Sequence, residues 1–497
     1  GVQSVTMSTE TGKPLGDETS ADWNTWGGRM TGLAAGLGMF LTSLDIAVNV
    51  ALPLITREFD TDYQTVQWII IVFIATRAGL VLGAGSFADR FGLRQVYLLG
   101  AAAYLAAMIC IALSPNFGSV VGFRVLQALG TGCLFAASPA IAARLFPMSR
   151  RGLSMGLTTG SQALGMLAGT LGAGLLVGWF GWQAVFLGRV PFALLALLLG
   201  VIWLKRSESS ASRQSFDATG ALTLFGVMLC LMIGLRLGRS IGWTSPVVMA
   251  LLAFAPLFFA AFLWIEKRAA WPIIPGALVR ARGVVVSSAA MFMSHFGAFV
   301  IWFIFPFYVV DNLGYGAFIL GVMLAVMAAA NTAFSSSGGW LCDRVGTTVI
   351  GTIGLTVISA GLLLMGFLDA QSSLAQVGLR IALVGAGTGL FQAAAFTLMM
   401  SSVPADRFGT AGAALSLAQA MGTVLSVAVT GGLFALSIDY HLGVLGGNGL
   451  EAADGQARAF VLAYRDVFWL GAVITILGAG VFLMGRRRQA SEAGAPL

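Results

Sequence analysis

A few ionisable side chains stand alone within long apolar stretches of the sequence, where bulk water cannot solvate them. Asp45 is the one acid that we predict deep in such a stretch, and Asn49 shares its helix face four residues on. Arg77, Arg124 and His295 interrupt other apolar stretches. A carboxylate that alternates between a proton and an arginine partner can couple proton movement to conformational change. A permanent structural ion pair is the alternative.

Further polar and aromatic residues are candidates for the wall of a substrate cavity. Gln127 lies on the face of Arg124 and could bind substrate or bridge helices, and we favour the bridge. A lone histidine such as His295 is usually a helix contact, but one facing a cavity could exchange a proton near neutral pH. Aromatic residues between 302 and 308 could line a lipophilic pocket or form an interface belt. The predicted cavity wall comprises Asn49, Gln127, Trp302, Phe305 and Arg380.

Two glycine-flanked charged stretches repeat each other, GSFADRFGLRQ at 85–95 and GWLCDRVGT at 339–347. Glycines let helices approach closely in lipid, and aspartate and arginine at a tight turn can pair across neighbouring helices or meet a helix end. Two copies at equivalent places indicate a conformational latch rather than a positively charged anchor with incidental aspartates. The latch residues are Gly85, Asp89, Arg90, Gly92, Arg94, Gly339, Asp343, Arg344 and Gly346.

The composition restricts what can position these residues. The chain has 497 residues, of which 58% are hydrophobic and 10% charged, against about 25% charged in soluble domains. Apolar runs of about twenty residues are long enough to cross a hydrocarbon core of about 30 Å. They lack two-residue alternation, and lipid offers no partner to free backbone groups, so helices are predicted. The fold class is therefore an all-α polytopic membrane protein.

The net charge of +7 has a membrane explanation. The basic residues lie at the ends of apolar runs, as the positive-inside rule predicts, so no nucleic-acid partner is expected. The four cysteines are scattered singly, which predicts neither a disulfide framework nor a metal site. No nucleotide loop or nucleophile–base pair is present, so we expect no enzyme and no cofactor. The polar first 22 residues predict no cleavable signal.

Fourteen transmembrane helices are predicted, and an even number puts both termini on one side of the membrane. The loops on that side are rich in arginine and lysine, which predicts cytoplasmic termini. The loop at 437–460 is the long external one. The predicted spans are 30–53, 66–87, 95–114, 118–145, 153–177, 184–204, 218–237, 246–266, 283–309, 316–338, 348–368, 374–402, 409–436 and 461–485.

The spans divide into two corresponding sets of six with a pair inserted between them. Two homologous halves around a midplane site are the architecture of secondary transporters. The predicted organisation is a cytoplasmic N-terminal tail (1–29), an N-terminal six-helix bundle (30–204), a linker with two inserted helices (205–282), a C-terminal six-helix bundle (283–485) and a cytoplasmic tail (486–497).

Helix geometry predicts which buried charges can meet. At 1.5 Å per residue, Asp45 lies roughly 12 Å, Arg124 roughly 9 Å and Arg77 roughly 16 Å from the outer ends of their spans. These depths permit contact if the helices are neighbours. Arg189 lies about 8 Å inside its span, and we expect its side chain to extend to the outer interface.

The charged stretch at 85–95 resembles the signature between the second and third helices of major facilitator superfamily transporters. Leu93 stands where an arginine is usual, and Arg94 is kept. The chain also resembles the fourteen-span drug/proton antiporters of that superfamily at LDIAVNVALP (44–53), RVLQALGTG (124–132), FDATG (216–220) and GWTSP (242–246). GTLGAG at 169–174 departs from their fifth-helix motif, with Thr170 and Ala173 where proline and glycine are expected.

The resemblance implies a major facilitator fold and a multidrug efflux function. The expected protein is a monomer in a bacterial cytoplasmic (inner) membrane. It exports lipophilic or amphipathic small molecules by alternating access, in exchange for protons. A proton-linked carrier of an anionic metabolite or a lipid-like molecule is the second transport hypothesis, favoured by the excess of arginine over acid. A lipid-handling scaffold or a channel is the alternative from another class, and no pore-loop motif supports it.

Overall fold

The structure is a computed structural model, and its regular secondary structure is helical in the part of the chain that it describes. That part comprises residues 25–77, 92–146, 151–205, 245–268, 281–403, 408–446 and 452–484, with single positions between 223 and 242. Within it, 11 helices are long and apolar enough to cross a membrane. The prediction of an all-helical integral membrane protein is confirmed.

Six helices form the N-terminal bundle, and the first of them carries a local change of geometry. Residues Leu44–Ala47 form a single 3-10 turn inside the first helix, and this turn contains Asp45. The helices are α1 (Trp26–Glu58), α2 (Trp68–Arg77), α3 (Leu93–Ala112), α4 (Phe117–Ala143), α5 (Arg151–Phe180) and α6 (Gln183–Trp203).

A second group of six helices forms the C-terminal bundle. Its first helix ends in a π-helical turn at Tyr308–Asn312. One further apolar helix, α7 (Pro246–Arg268), precedes this bundle. The six helices are α8 (Arg282–Asn312), α9 (Ala317–Val345), α10 (Thr347–Met365), α11 (Leu374–Ser401), α12 (Phe408–Gly446) and α13 (Ala452–Met484).

Where both ends of a helix are described, the predicted spans agree with it within about five residues, except at the end of α9, which reaches Val345 instead of 338, and near the predicted loop at 437–460. There α12 continues to Gly446 and α13 begins at Ala452, so the prediction of a long loop is wrong. A polar contact joins the part of α12 beyond its predicted end to α13. His441 of α12 lies 2.9 Å from a carboxylate oxygen of Asp466 in α13, and Ser437 donates to the same oxygen.

Helix pairing is the same in the two bundles. In the N-terminal bundle α1 packs against α4, α5 and α6, and α3 packs against α4 and α6. In the C-terminal bundle α8 packs against α11, α12 and α13, and α10 packs against α11 and α13. Each bundle therefore places its first helix at the centre of a corresponding set of neighbours.

The bundles meet along α5 and α9, where two glycines permit a close approach. A Cβ atom added to Gly174 would lie 3.0 Å from the carbonyl oxygen of Ala317 and 3.2 Å from the Cα of Gly321. A Cβ on Gly321 would lie 2.6 Å from the carbonyl oxygen of Thr170. Small residues at a membrane helix contact allow backbones to touch in this way. The segment at 169–174, which departs from the fifth-helix antiporter motif, thus lies at the contact between the bundles.

Candidate functional site

A cavity of about 1000 Å³ lies between the two bundles. The N-terminal bundle contributes charged and polar groups, and the C-terminal bundle contributes mostly uncharged polar and apolar ones. Representative lining residues are Asp45, Asn49, Arg77, His295, Trp302 and Asn331. Both bundles must therefore move for this cavity to change its opening.

One end of the cavity, which we call the open end, is lined by solvent-exposed residues such as Gly160 and Ser336. At the opposite, closed end a salt bridge connects the bundles, because a guanidinium nitrogen of Arg57 lies 2.5 Å from a carboxylate oxygen of Asp311. The ring of Tyr63 packs beside them against Phe307, with ring centroids 4.7 Å apart. Ionic and aromatic contacts thus hold the bundles together at this end.

The Tyr63 hydroxyl stays protonated at the closed end. Burial and the neighbouring Asp311 carboxylate raise the pKa of Tyr63 to about 12. A phenol with so high a pKa donates hydrogen bonds at every physiological pH. The Tyr63 hydroxyl can therefore donate a hydrogen bond to the neighbouring Asp311 carboxylate at physiological pH.

Asp45 lies at the centre of a network of charged groups beside the cavity. Arg124 binds it with both terminal nitrogens, at 2.7 Å to Oδ1 and 3.3 Å to Oδ2. Gln127 donates to Oδ1 at 2.5 Å, and Arg189 Nη1 lies 3.3 Å from the same oxygen. The Asp45 side chain is 10% exposed, and it also lines the cavity. The depth-based prediction that Asp45 and Arg124 meet agrees with this geometry.

Contacts on every side hold Arg124 in place. Its Nε donates to the carbonyl oxygen of Ile69 at 3.0 Å, and its Nη1 donates to Gln127 Oε1 at 2.7 Å. Its guanidinium lies 4.3 Å from the ring centroid of Phe73. Gln127 is three residues on in α4, so both side chains project from one helix face. Gln127 bridges α4 and α1, and the interpretation of Gln127 as a bridge fits this contact.

The Arg189 side chain does not have the direction that we predicted from the sequence. The prediction that it extends to the interface is wrong, because only 3% of its surface is exposed and its Nη1 pairs with Asp45. It lies at a break in α6, between helical turns that end at Leu187 and resume at Val190. Its Nε and Nη2 have no hydrogen-bond partner in the part of the chain described. The break directs the side chain inward, where the Asp45 carboxylate stabilises it.

Arg77 lines the cavity but does not join the Asp45 network through an ion pair. Its guanidinium lies 5.5 Å from the centroid of the Phe73 ring, which Arg124 also contacts. No salt bridge connects Arg77 to a carboxylate of any residue that the structure describes. Arg77 therefore presents a positive charge to the cavity.

His295 and Trp302 line the cavity from α8, on the side opposite Asp45. His295 Nδ1 lies 3.2 Å from the carbonyl oxygen of Met291, one turn earlier. No hydrogen bond among the described residues connects His295 to Asp45. The predicted proton-coupling set is thus divided, with one histidine on the C-terminal bundle and the charged network on the N-terminal bundle.

Three residues predicted in the cavity wall do not line it. Phe305 is fully buried and packs against Tyr308 of the same helix, with ring centroids 6.2 Å apart. Arg380 lies near the start of α11 and donates to the carbonyl oxygen of Leu364 at 2.9 Å. Gln127 is also fully buried behind the wall, in contact with Asp45. Asn49 and Trp302 are the members of the predicted set that line the cavity.

The first charged stretch lies largely outside the described residues, which exclude Gly85, Asp89 and Arg90. The end of this stretch is described, and its backbone turn matches the turn at the end of the second stretch. Gly92 (φ 87°) directly precedes α3, and Gly346 (φ 101°) directly precedes α10. Residues with a side chain rarely adopt such a positive backbone φ, so glycine is required at both turns. The repeated glycines thus make equivalent turns in the two bundles.

Among the described residues, the charged members of the second stretch form no ion pair across helices. Asp343 and Arg344 are exposed, and no described residue forms a salt bridge with Asp343. Arg344 instead stacks on Trp340, with its guanidinium 4.1 Å from the ring centroid. The close helix contact falls on Gly338, where a Cβ would lie 3.0 Å from that of Ala393, and not on Gly339. In the first stretch, Arg94 donates to the carbonyl oxygen of Val201 at 2.9 Å.

Asp466 corrects the prediction that Asp45 is the one acid deep in a span. It lies well inside α13, where it contacts His441 and Ser437 of α12. This cluster does not line the cavity. Asp466 was overlooked because the predicted span began at 461, which placed it near an end. The salt bridge between Arg57 and Asp311 was also missed, since each residue lies near the end of its own span.

Comparison with known proteins agrees with this architecture. Residues 35–224, 218–427 and 288–496 match the family model of the Major Facilitator Superfamily. The chain is 30% identical over 408 residues to the multidrug resistance protein Stp of Mycobacterium tuberculosis, covering 82% of this chain and 76% of that protein. It is also 30% identical to the tetracenomycin C resistance and export protein of Streptomyces glaucescens, covering 81% of this chain and 75% of that protein.

A solved structure shares the fold at low sequence identity. It is the crystal structure of a POT family transporter in complex with 5-aminolevulinic acid, with a TM-score of 0.67 and 13% identity over 92% of this chain and 96% of that one. The relatives are transporters, and no catalytic activity is indicated for the chain. The repeated bundles, the cavity between them and the family match lead to one conclusion. The chain belongs to the Major Facilitator Superfamily of membrane transporters and is of its drug-efflux type.

Proposed function

We propose that this transporter exports lipophilic or amphipathic compounds by alternating access, in exchange for protons. The observation that carries the proposal is the Asp45 carboxylate, which lines the cavity while two buried arginines bind it. A carboxylate so placed can be reached from the cavity and can exchange arginine partners for a proton. Two relatives named for antibiotic or drug resistance support export as the direction of transport.

The proposed coupling step acts through the packing of the N-terminal bundle. A proton on Asp45 removes the negative charge that Arg124 and Arg189 share. Uncompensated buried charges are costly, because breaking a buried ion pair typically costs about 3–5 kcal/mol. The arginines must then find other partners, and α1, α4 and α6 can change their relative positions. Release of the proton restores the pairs and the starting arrangement.

Transport of tetracenomycin C, the compound named for one relative, tests the function. Purified protein in proteoliposomes receives an imposed pH gradient, and uptake of the compound is followed with and without an uncoupler. We expect accumulation against the concentration gradient that collapses when the pH gradient is dissipated. Accumulation of tetracenomycin C that is the same with and without the pH gradient would contradict proton coupling. Because the cavity is formed within one chain, we propose a monomer, and single-molecule mass measurement in nanodiscs tests this.

We propose that both termini and the open end of the cavity face the cytoplasm of a bacterial inner membrane. The loops rich in arginine and lysine, which are predicted on the same side as the termini, support this orientation. Single cysteines at Ser210 and Asn448, in a background without the four native cysteines, should react with an impermeant maleimide from opposite sides of the membrane. We expect position 448 to react in intact cells and position 210 only in inverted vesicles. Reaction of both from the same side would contradict the orientation.

We propose that the two charged stretches form a latch that controls interconversion of states. The equivalent turns at Gly92 and Gly346 support a repeated role. We expect Asp89→Asn to slow transport several-fold without weakening substrate binding, and Asp343→Asn to do so less, since Asp343 is exposed. Transport rates and equilibrium binding are compared in the same preparations. A double variant with the wild-type transport rate would show that the stretches are anchors only.

A further inference from the structure

The cavity carries more positive than negative charge. Among the described residues that line it, Arg77 and Arg124 are cations and Asp45 is the one carboxylate. Arg189 lies directly behind the wall and shares the same carboxylate. Three guanidinium groups thus face a single carboxylate in this part of the protein. A cleft of one sign with low-dielectric walls raises the local concentration of ions of opposite charge.

Arg77 is the cation in this group that is available to a ligand. Arg124 uses Nε, Nη1 and Nη2 in hydrogen bonds to protein groups, and it is 2% exposed. Arg189 is buried and does not line the cavity. Asp45 accepts four hydrogen bonds, from Arg124, Gln127 and Arg189, and none from Arg77. Within the described chain, the Arg77 guanidinium therefore forms no ion-pair contact with a carboxylate, and it shares the nearby charge of Asp45 with two other arginines.

The rest of the cavity suits an uncharged, partly aromatic body. Phe73 lies beside Arg77, and Phe299 and Trp302 line the facing wall. The side-chain amides of Asn331 and Gln392 add hydrogen-bonding capacity without charge. An arginine can bind a carboxylate through two parallel hydrogen bonds, which also fixes the orientation of that group.

We propose that the transported compounds carry an anionic group, a carboxylate or an equivalent acid, that binds Arg77 while their aromatic body fills the cavity between Phe73 and Trp302. The proposal rests on the proposed transport function only in taking this cavity as the substrate site. It narrows the substrate class from lipophilic or amphipathic compounds to lipophilic acids. Cationic amphiphiles are poor ligands, because Arg77 repels them and Asp45 is occupied by its arginines.

Three pyrene probes of matched shape test the charge preference. Pyrenebutyrate, its primary amide and pyrenebutylammonium differ at one terminal group, and energy transfer from tryptophan to pyrene reports their binding to protein in nanodiscs. Empty nanodiscs correct for partition into lipid. We expect the wild-type protein to bind the carboxylate at least about tenfold more tightly than the amide, as for a charged hydrogen bond, and the ammonium most weakly.

In Arg77→Gln the advantage of pyrenebutyrate over the amide should disappear, while affinity for the amide stays within about twofold. Arg77→Lys should keep part of the preference. Arg380→Gln is the matched control, because that arginine lies outside the cavity, and its probe affinities should equal those of the wild type. A preference retained in Arg77→Gln, an equal loss of both ligands, or tightest binding of the ammonium would each overturn the proposal.

The outcome is separable from that of the coupling experiment, because binding is measured without a pH gradient. A protein that prefers pyrenebutyrate through Arg77 but transports independently of pH would contradict proton exchange and leave the anion site standing. A protein that couples to protons but binds all three probes alike would contradict the anion site and leave proton exchange standing. Thermal unfolding of each variant confirms that the nanodiscs contain folded protein.

Discussion

Asp45→Asn is expected to abolish accumulation driven by a pH gradient, and this is the largest effect that the structure predicts. Asparagine has nearly the shape of aspartate, but it can neither bind nor release a proton at physiological pH. The substitution also leaves Arg124 and Arg189 without their carboxylate. Uptake of tetracenomycin C into proteoliposomes with an imposed pH gradient should fall to the level of empty vesicles.

Substrate counterflow distinguishes a coupling defect from a folding defect. Exchange of labelled for unlabelled tetracenomycin C requires binding and conformational change but no net proton movement, so Asp45→Asn should retain part of it. Asp466→Asn is the matched control, since it also removes a helix-embedded acid but one outside the cavity. It should accumulate substrate normally. Wild-type accumulation in Asp45→Asn would place the proton site elsewhere, with His295 as the next candidate.

The contact between Asp45 and Arg124 could be predicted from the sequence because helix geometry makes depth a simple function of residue number. Two isolated opposite charges at similar depth in lipid attract each other strongly when their helices are neighbours, and the structure shows that α1 and α4 are neighbours. Gln127 followed from its spacing, which puts it on the face of Arg124. The spans themselves followed from apolar length.

Arg189 and Phe305 could not be placed in this way. Arg189 lies at a break in α6 that reverses the expected direction of its side chain, and hydropathy carries no signal for such a break. Phe305 continues the apolar pattern of Trp302, and only the meeting of two bundles determines which of them faces a cavity. The salt bridge between Arg57 and Asp311 likewise joins residues far apart in sequence, and no periodicity indicates such a pairing.

Gly174→Leu is expected to impair transport strongly by separating the bundles at the closed end. A Cβ at this position already falls within 3.2 Å of the backbone of α9, and the remaining atoms of leucine have no space there. Overpacking of this kind typically costs about 1–3 kcal/mol, which changes a two-state ratio by about 5- to 150-fold. The substitution destabilises the state in which α5 packs against α9 and the cavity is open at its other end.

Spin labels on Glu58 and Tyr315, which are exposed on opposite bundles beside the closed end, measure the separation directly. We expect a longer distance between the labels in Gly174→Leu than in the wild type, together with slower uptake of tetracenomycin C. Gly172→Leu is the control, because a Cβ at Gly172 has no atom within 4 Å. Both substitutions give α5 the same gain in helix propensity, so any difference between them comes from the contact with α9. Equal distances and equal transport in the two variants would mean that this contact does not restrain the bundles. Other contacts, such as the Arg57–Asp311 salt bridge and the packing of the Tyr63 ring, would then keep that end closed.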